Sequence, residues 1–250
     1  MALVRTELLT KAFGALTAVN AVTLQVEEGS LHSIIGPNGA GKTTFFNLLT
    51  GQHTPTSGRI IFDGRDIAGT PPHRIAHLGI ARSFQRTSIF PTLSIVDNVW
   101  LAAFARQESW SGLAWRRADR YPESTRRALG VLEEVGLLDK ASLPAREISH
   151  GEQRQLELAV ALAAAPRLLL LDEPAAGLSP DETQRMVALV QKFKRRYTIL
   201  LIEHKIDVVM SMSDRISVMH FGSVIAEGNP AEIQRNADVR RAYLGGIAVP

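Results

Sequence analysis

The sequence predicts an α/β fold: a mostly parallel sheet, an antiparallel β part and a helical insert. Three observations carry that expectation. Short apolar runs alternate with helical patterns, the order that buries a parallel sheet between two helical layers. The run Leu168 to Leu171 is four leucines ending in Asp172, as suits a strand buried on both faces. Between Ser94 and Leu143 glycine becomes sparse, arginine, alanine and leucine dominate, and all three tryptophans (100, 110 and 115) occur there.

The elements follow in order. The stretch Thr6 to Val26 is rich in apolar and β-branched residues and reads as strands. Leu31 to Ile35 is a short strand, Gly36 to Gly41 a glycine-rich turn, and Lys42 to Leu49 a helix ending near Gly51. Gly58 to Ile67 reads as a hairpin, because Asp63-Gly64 supplies the residues a tight turn needs. Val131 to Leu138 is helical in pattern, within an insert of about 94–149 set into a core of 1–93 and 150–250. Ser149-His-Gly-Glu152 is a capping box opening a helix over Gln153 to Ala165, with Pro166 ending it. Ser179-Pro-Asp-Glu182 is a second box, with proline at the first helical position. Thr198 to Ile202 is another buried strand, Ile216 to Met219 and Ser223 to Ala226 can pair around Gly222, and Pro230 to Leu244 reads as helix.

The chain has 250 residues, long enough for a large core, and at about 150 residues per domain it holds between one and two domains. Apolar residues are 45% and charged residues 21%, which excludes wholesale disorder and fibrous classes. With no cysteine, disulfides, thiolate metal sites and cysteine nucleophiles are excluded. The net charge of +3 is too small to demand a nucleic-acid partner, and none is expected. It coincides with the segment from Arg106 to Arg127, where six arginines face three acids. No run approaches the roughly 20 apolar residues of a membrane span, and the first residues lack the apolar core of a signal peptide. The expectation is a cytosolic chain, unless something else holds it at a membrane.

Gly36-Pro-Asn-Gly-Ala-Gly-Lys42-Thr43 matches the phosphate-binding loop in full, with a strand before and a helix after. Glycines let backbone N–H groups converge on phosphate oxygens, and the helix N-terminus adds a favourable partial charge. Gly36, Asn38, Gly39, Gly41, Lys42, Thr43 and Thr44 are the candidate nucleotide-phosphate contacts. Lys42 would neutralise the β and γ phosphates and the Thr43 hydroxyl would ligate Mg²⁺. Asp172 ends a buried strand, where it could hold Mg²⁺ directly or through water. Glu173 follows at once and could polarise the attacking water as general base.

The ordered set of motifs resembles the nucleotide-binding subunit of an ATP-binding-cassette (ABC) transporter, a P-loop ATPase, over essentially the whole chain. Ile148-Ser149-His150-Gly151-Glu152 stands where that family usually has Leu-Ser-Gly-Gly-Gln. The resemblance makes Ser149 and Gly151 contacts for the ATP of a second subunit. It makes Gln85, in Arg82-Ser-Phe-Gln85, a Mg²⁺ and water contact, and His204 a γ-phosphate sensor. Phe13 takes the position that stacks on adenine, the alternative being a core residue. Three departures stand out: His150 and Glu152 in the signature, and Ser179 in place of the usual aspartate of the Ala176-Gly-Leu-Ser179 loop. The first two look like the branch serving branched-chain amino-acid uptake; the third casts doubt on any aspartate-dependent contact across a dimer.

Arg82 to Val99, Leu171 to Leu178 and the ending Asp238 to Gly245 are similar to the same branch. The resemblance therefore implies an ATPase that dimerises on ATP, with an identical or a sister chain, and drives integral-membrane permease subunits. It would sit on the cytoplasmic face of the inner membrane, with an extracytoplasmic solute-binding protein in the complex. Phe90, Pro91 and Thr92 are candidates for the permease groove, and the arginine-rich insert could equally dock permease helices or be a solvated face. The cargo expected is branched-chain or related amino acids; a lipid or lipopolysaccharide exporter ATPase is the alternative. A soluble ABC ATPase acting on DNA or ribosomes lacks its long coiled-coil insert or second cassette here. A P-loop kinase or GTPase would leave the signature and His204 unexplained.

Overall fold

The computed structural model describes residues 1–83, 89–107 and 121–244. Its strands form two sheets. The first is antiparallel, in the order β2-β1-β4-β5, from β1 (Ala2–Phe13), β2 (Leu16–Glu27), β4 (Ser57–Phe62) and β5 (Arg65–Asp66). The second follows the order β10-β9-β3-β8-β7-β6. It contains β3 (Leu31–Ile35), β6 (Ile80–Ser83), β7 (Leu168–Asp172), β8 (Thr198–Ile202), β9 (Arg215–His220) and β10 (Ser223–Gly228). All its neighbours run parallel except the β9–β10 hairpin at one edge.

Every residue of β3, β7 and β8 is buried, and the alternation of side chains explains why all can be apolar. Leu168, Leu170, Leu200 and Ile202 face one way, into a cluster with Phe45 and Phe46 and with Val4, Ile60 and Phe62 of the antiparallel sheet. Leu169, Leu171, Ile199 and Leu201 face the other way, toward the helices. Each fully buried leucine contributes about 1.5–3 kcal/mol relative to exposure. The strands therefore fix the strand ends that carry the site.

The helices are α1 (Lys42–Leu49), α2 (Pro72–Leu78), α3 (Ile95–Gln107), α4 (Pro122–Val135), α5 (His150–Ala163), α6 (Pro180–Lys194), α7 (Ile206–Met212), α8 (Pro230–Arg235) and α9 (Ala237–Leu244). The insert contributes α3 and α4, whose Ile95, Val99, Val131 and Leu132 join the same cluster as Leu169 and Leu171. Trp100 stacks on Phe104, with ring centroids 5.0 Å apart, and Tyr121 meets both edge-on. Trp110 and Trp115 lie outside the described residues.

Several boundaries differ from expectation. The helical pattern over Val131 to Leu138 is the end of α4, which stops at Val135 where left-handed Gly136 closes it. The α5 helix begins at His150 rather than Gln153, because Ser149 is itself the cap: its hydroxyl accepts from the Glu152 N–H, and the Glu152 side chain returns the bond. It stops before Ala165, whose left-handed φ of 47° turns the chain ahead of Pro166, a residue that disfavours helix at the position before it. The C-terminal helix is two helices broken at Asn236, which ends α8 and whose side chain accepts from the N–H groups of Asp238 and Val239. The α2 helix, closed by left-handed Gly79, was not anticipated.

Candidate functional site

The loop after β3 has the shape its glycines permit. Gly36 has φ +154°, and a Cβ there would lie 2.1 Å from the Met219 carbonyl oxygen. Gly41, the N-cap of α1, has φ +97°, and its Cβ would lie 2.2 Å from the Ala18 carbonyl oxygen. No side chain caps α1 and its first turn carries no acid, so its leading N–H groups remain for an anion. Lys42 arches back over the loop, donating to the carbonyls of Gly36 at 2.6 Å and Pro37 at 2.9 Å. Burial lowers the Lys42 pKa, and the nearby charges of Glu173 and Asp172 oppose that shift.

A cavity of about 340 Å³ opens on this loop, lined by Asn38, Gly39, Ala40, Gly41, Lys42, Thr43 and Thr44, together with Glu173 and His204. That volume lies in the range of small-molecule sites. Leu16 and Ala18 complete the wall. Phe13 is 45% exposed, pairs with Leu16 across the β1–β2 hairpin, and meets His53 edge-on at 5.3 Å. Leu16 and Ala18 were missed from sequence; the signal available was the Gly14-Ala15 turn, which sets Leu16 opposite Phe13.

The acids arrive at the end of β7. Asp172 is buried; its Oδ2 accepts from Arg82 at 2.6 Å, and the same guanidinium donates to Asn47 Oδ1 of α1 at 2.6 Å. Asp172 Oδ1 is buried with no hydrogen-bond partner among the described residues. Burial raises the Asp172 pKa, and the bond from Arg82 opposes this. The orphaned Asp172 oxygen is a hard donor of the type that suits Mg²⁺, although Asp172 and the exposed Thr43 line different cavities. Glu173 adopts φ +52°, rare for a residue with a side chain, and its Oε1 lies 2.6 Å from His204 Nε2.

Ser149 and Gly151 lie elsewhere. They line a separate cavity of about 90 Å³ with Glu152, Gln155, Glu182, Arg185 and Met186. Gly151 is backed so closely by α6 that a Cβ would fall 2.4 Å from Glu182 Oε1. Ser179 caps α6 in a second reciprocal box with Glu182. His150 Nε2 would be 3.1 Å from a Cβ at Gly177, so the bulky signature residue occupies space that glycine leaves free. The structure thus brings Lys42, Thr43, Glu173 and His204 together and keeps Ser149 and Gly151 apart from them. Gln85 lies outside the described residues. Phe90 is exposed, beside Pro91 and Thr92.

Comparisons with known proteins give the family of the chain. The family model described as "ABC transporter" matches residues 19–176. A second, described as "Branched-chain amino acid ATP-binding cassette transporter", matches residues 223–249. The high-affinity branched-chain amino acid transport ATP-binding protein BraF of Pseudomonas aeruginosa is 46% identical over 95% of each chain. LivG of Salmonella typhimurium, of the same description, is 44% identical over 93% of this chain and 94% of its own. Among solved structures, the ADP conformation of an ATP-binding cassette of an ABC transporter superposes with a TM-score of 0.87 at 30% identity, covering 98% of this chain and 99% of that one. A dimeric post-hydrolysis cassette bound to ADP and Pi superposes with a TM-score of 0.76 at 26% identity, covering 91% of this chain and 98% of that one. The chain belongs to the ABC transporter family and is one of its nucleotide-binding, ATP-hydrolysing subunits.

Proposed function

We propose that this subunit powers uptake of branched-chain amino acids, and that hydrolysis takes place at the Glu173–His204 end of the loop cavity. The observation that carries the site is the 2.6 Å Glu173–His204 contact in the wall of the cavity that Lys42 also lines. The cargo rests on the likeness to BraF and LivG over nearly their whole lengths.

In this reading the loop N–H groups and Lys42 bind the β and γ phosphates of ATP, while Phe13 stacks on the adenine with Leu16 beside it. Glu173 accepts a proton from the attacking water as its oxygen bonds to the γ-phosphorus and the bond to the bridging oxygen breaks. His204 orients Glu173 and contacts the γ-phosphate. Thr43, Asp172 and Gln85 are the residues that would hold Mg²⁺, which supplies neutralisation of phosphate charge. Separation of Ser149 and Gly151 from the cavity of their own chain supports their role toward the ATP of a second subunit, identical or sister, in a head-to-tail pair. ATP then shifts the population toward the closed pair and hydrolysis releases it. Among the described residues no helix is long and apolar enough to cross a membrane; in this reading permease subunits supply the span. We place the chain at the inner membrane face, with Phe90, Pro91 and Thr92 toward the permease and a solute-binding protein outside. A core of 1–93 and 150–250 with an insert of about 94–149 is the matching division of labour.

The test is to isolate tagged Glu173→Gln from detergent-solubilised native membranes with ATP. It should bind ATP, turn it over poorly and bring down a multi-span permease with a solute-binding protein that takes leucine, isoleucine or valine. A lipid-handling permease would overturn the cargo. Full turnover by Glu173→Gln would overturn the general-base role.

A further inference from the structure

Glu203 lies between the last buried residue of β8 and His204, and only 2% of it is exposed. Its two oxygens do different work. Oε1 accepts the Ala175 N–H at 3.0 Å, two residues past Glu173. Oε2 accepts the N–H groups of His204 at 2.7 Å and Lys205 at 3.1 Å. The parallel ladder ends immediately before this point, where the Glu173 N–H reaches the Ile202 carbonyl at 2.8 Å. The Glu203 side chain thus replaces the next rung. One buried carboxylate joins the turn that carries Glu173 to the turn that carries His204.

That junction bears on the left-handed φ of 52° at Glu173. Such a conformation is costly for a residue with a side chain and persists only where the surroundings over-determine it. The ladder bond at Glu173 and the carboxylate bond at Ala175 hold the turn on both sides of Pro174, which has no N–H to offer. A carboxylate accepting backbone N–H groups makes charge-assisted bonds, roughly twice as strong as neutral ones.

We propose that Glu203 is a positioning residue for ATP hydrolysis, setting the Glu173–His204 pair by holding both turns at once. It touches no part of the nucleotide cavity itself. The proposal rests on the reading that Glu173 and His204 carry the hydrolysis.

The test uses the full-length chain with its membrane partners and compares Glu203→Gln, Glu173→Gln, His204→Ala and the Glu203→Gln/His204→Ala double variant. The glutamine keeps the volume and one acceptor oxygen but turns an NH₂ toward a backbone N–H. A displacement of the pair by about 1 Å can cost on the order of a hundredfold in rate. The expected result is kcat lowered at least about tenfold, with KM for ATP and Kd for a fluorescent ATP analogue within about threefold. The double variant should lose no more than His204→Ala alone, since both act on one pair. Unchanged kcat, a loss confined to KM, or multiplicative losses in the double variant would each overturn the assignment. Should Glu203→Gln fail to fold, Glu203→Asp, whose shorter carboxylate reaches one turn at most, must show the same split. If Glu173→Gln and His204→Ala both keep full turnover, the site reading fails. If they abolish it while Glu203→Gln does not, only the Glu203 proposal fails.

Discussion

His32 shows how a single buried residue makes the fold sensitive to pH. It sits in β3 with none of its surface exposed, its Nε2 2.8 Å from the Ser217 hydroxyl of β9. Burial lowers its pKa from 6.5 to about 4; the Glu227 charge opposes the shift and Arg215 reinforces it. The unfolded chain therefore binds a proton below pH 6.5 that the folded chain refuses until about pH 4. Stability contributed by neutral His32 is complete above pH 6.5 and is lost as the pH falls toward 4. Between pH 7 and 5 the loss should be about 2 kcal/mol. Urea midpoints at the two pH values check this: His32→Gln should be less stable at pH 7 yet lose clearly less than the parent on acidification. An equal loss in both would assign the pH dependence to other groups.

At the scale of elements, the caps decide where helices begin. Ser179 stands where the resemblance calls for aspartate, and its hydroxyl accepts from the Glu182 N–H while the Glu182 carboxylate accepts from the Ser179 N–H. Ser179→Ala should cost about 1 kcal/mol of stability. Ser179→Asn, which restores an acceptor, should recover most of it in thermal melts. A neutral Ser179→Ala would remove the local role and return the residue to the question of contacts across a dimer. The same boxes show what could be read in advance. Phosphate-loop glycines, capping boxes and leucine strands act within a few residues, so the strands Leu31 to Ile35 and Leu168 to Asp172, the helix Lys42 to Leu49 and the caps Ser149 and Ser179 are legible to the residue. Helix ends that depend on a neighbour were not: Asn236 breaks the last helix with its own side chain. Glu203 and Arg82 escaped because their partners lie 28 and 90 residues away. A glutamate before a histidine looks solvated until the sheet end that buries it is known.

At the scale of the molecule, the insert is distinct in sequence but not in packing. Its α3 and α4 give Ile95, Val99, Ala128 and Leu132 to the cluster that holds Leu169 and Leu171 of β7 and Ile199 and Leu201 of β8. The α5 helix, capped by the signature serine, contributes Leu156 and Leu162 to the same cluster. On this packing we expect a motion of the insert to carry the start of α5 with it, which is the coupling the proposed function requires. It also predicts how the chain unfolds. All three tryptophans lie in the insert sequence, so their fluorescence reports that region, while far-UV circular dichroism reports the whole. Because separating α3 and α4 from the core would expose shared apolar surface at about 25 cal/mol per Å², the two signals should fall together in one urea transition. Fluorescence that changed first, at lower urea, would mean that the insert is an independently stable unit. The signature would then move on a hinge of its own, rather than as one body with the sheet that carries Asp172 and Glu173.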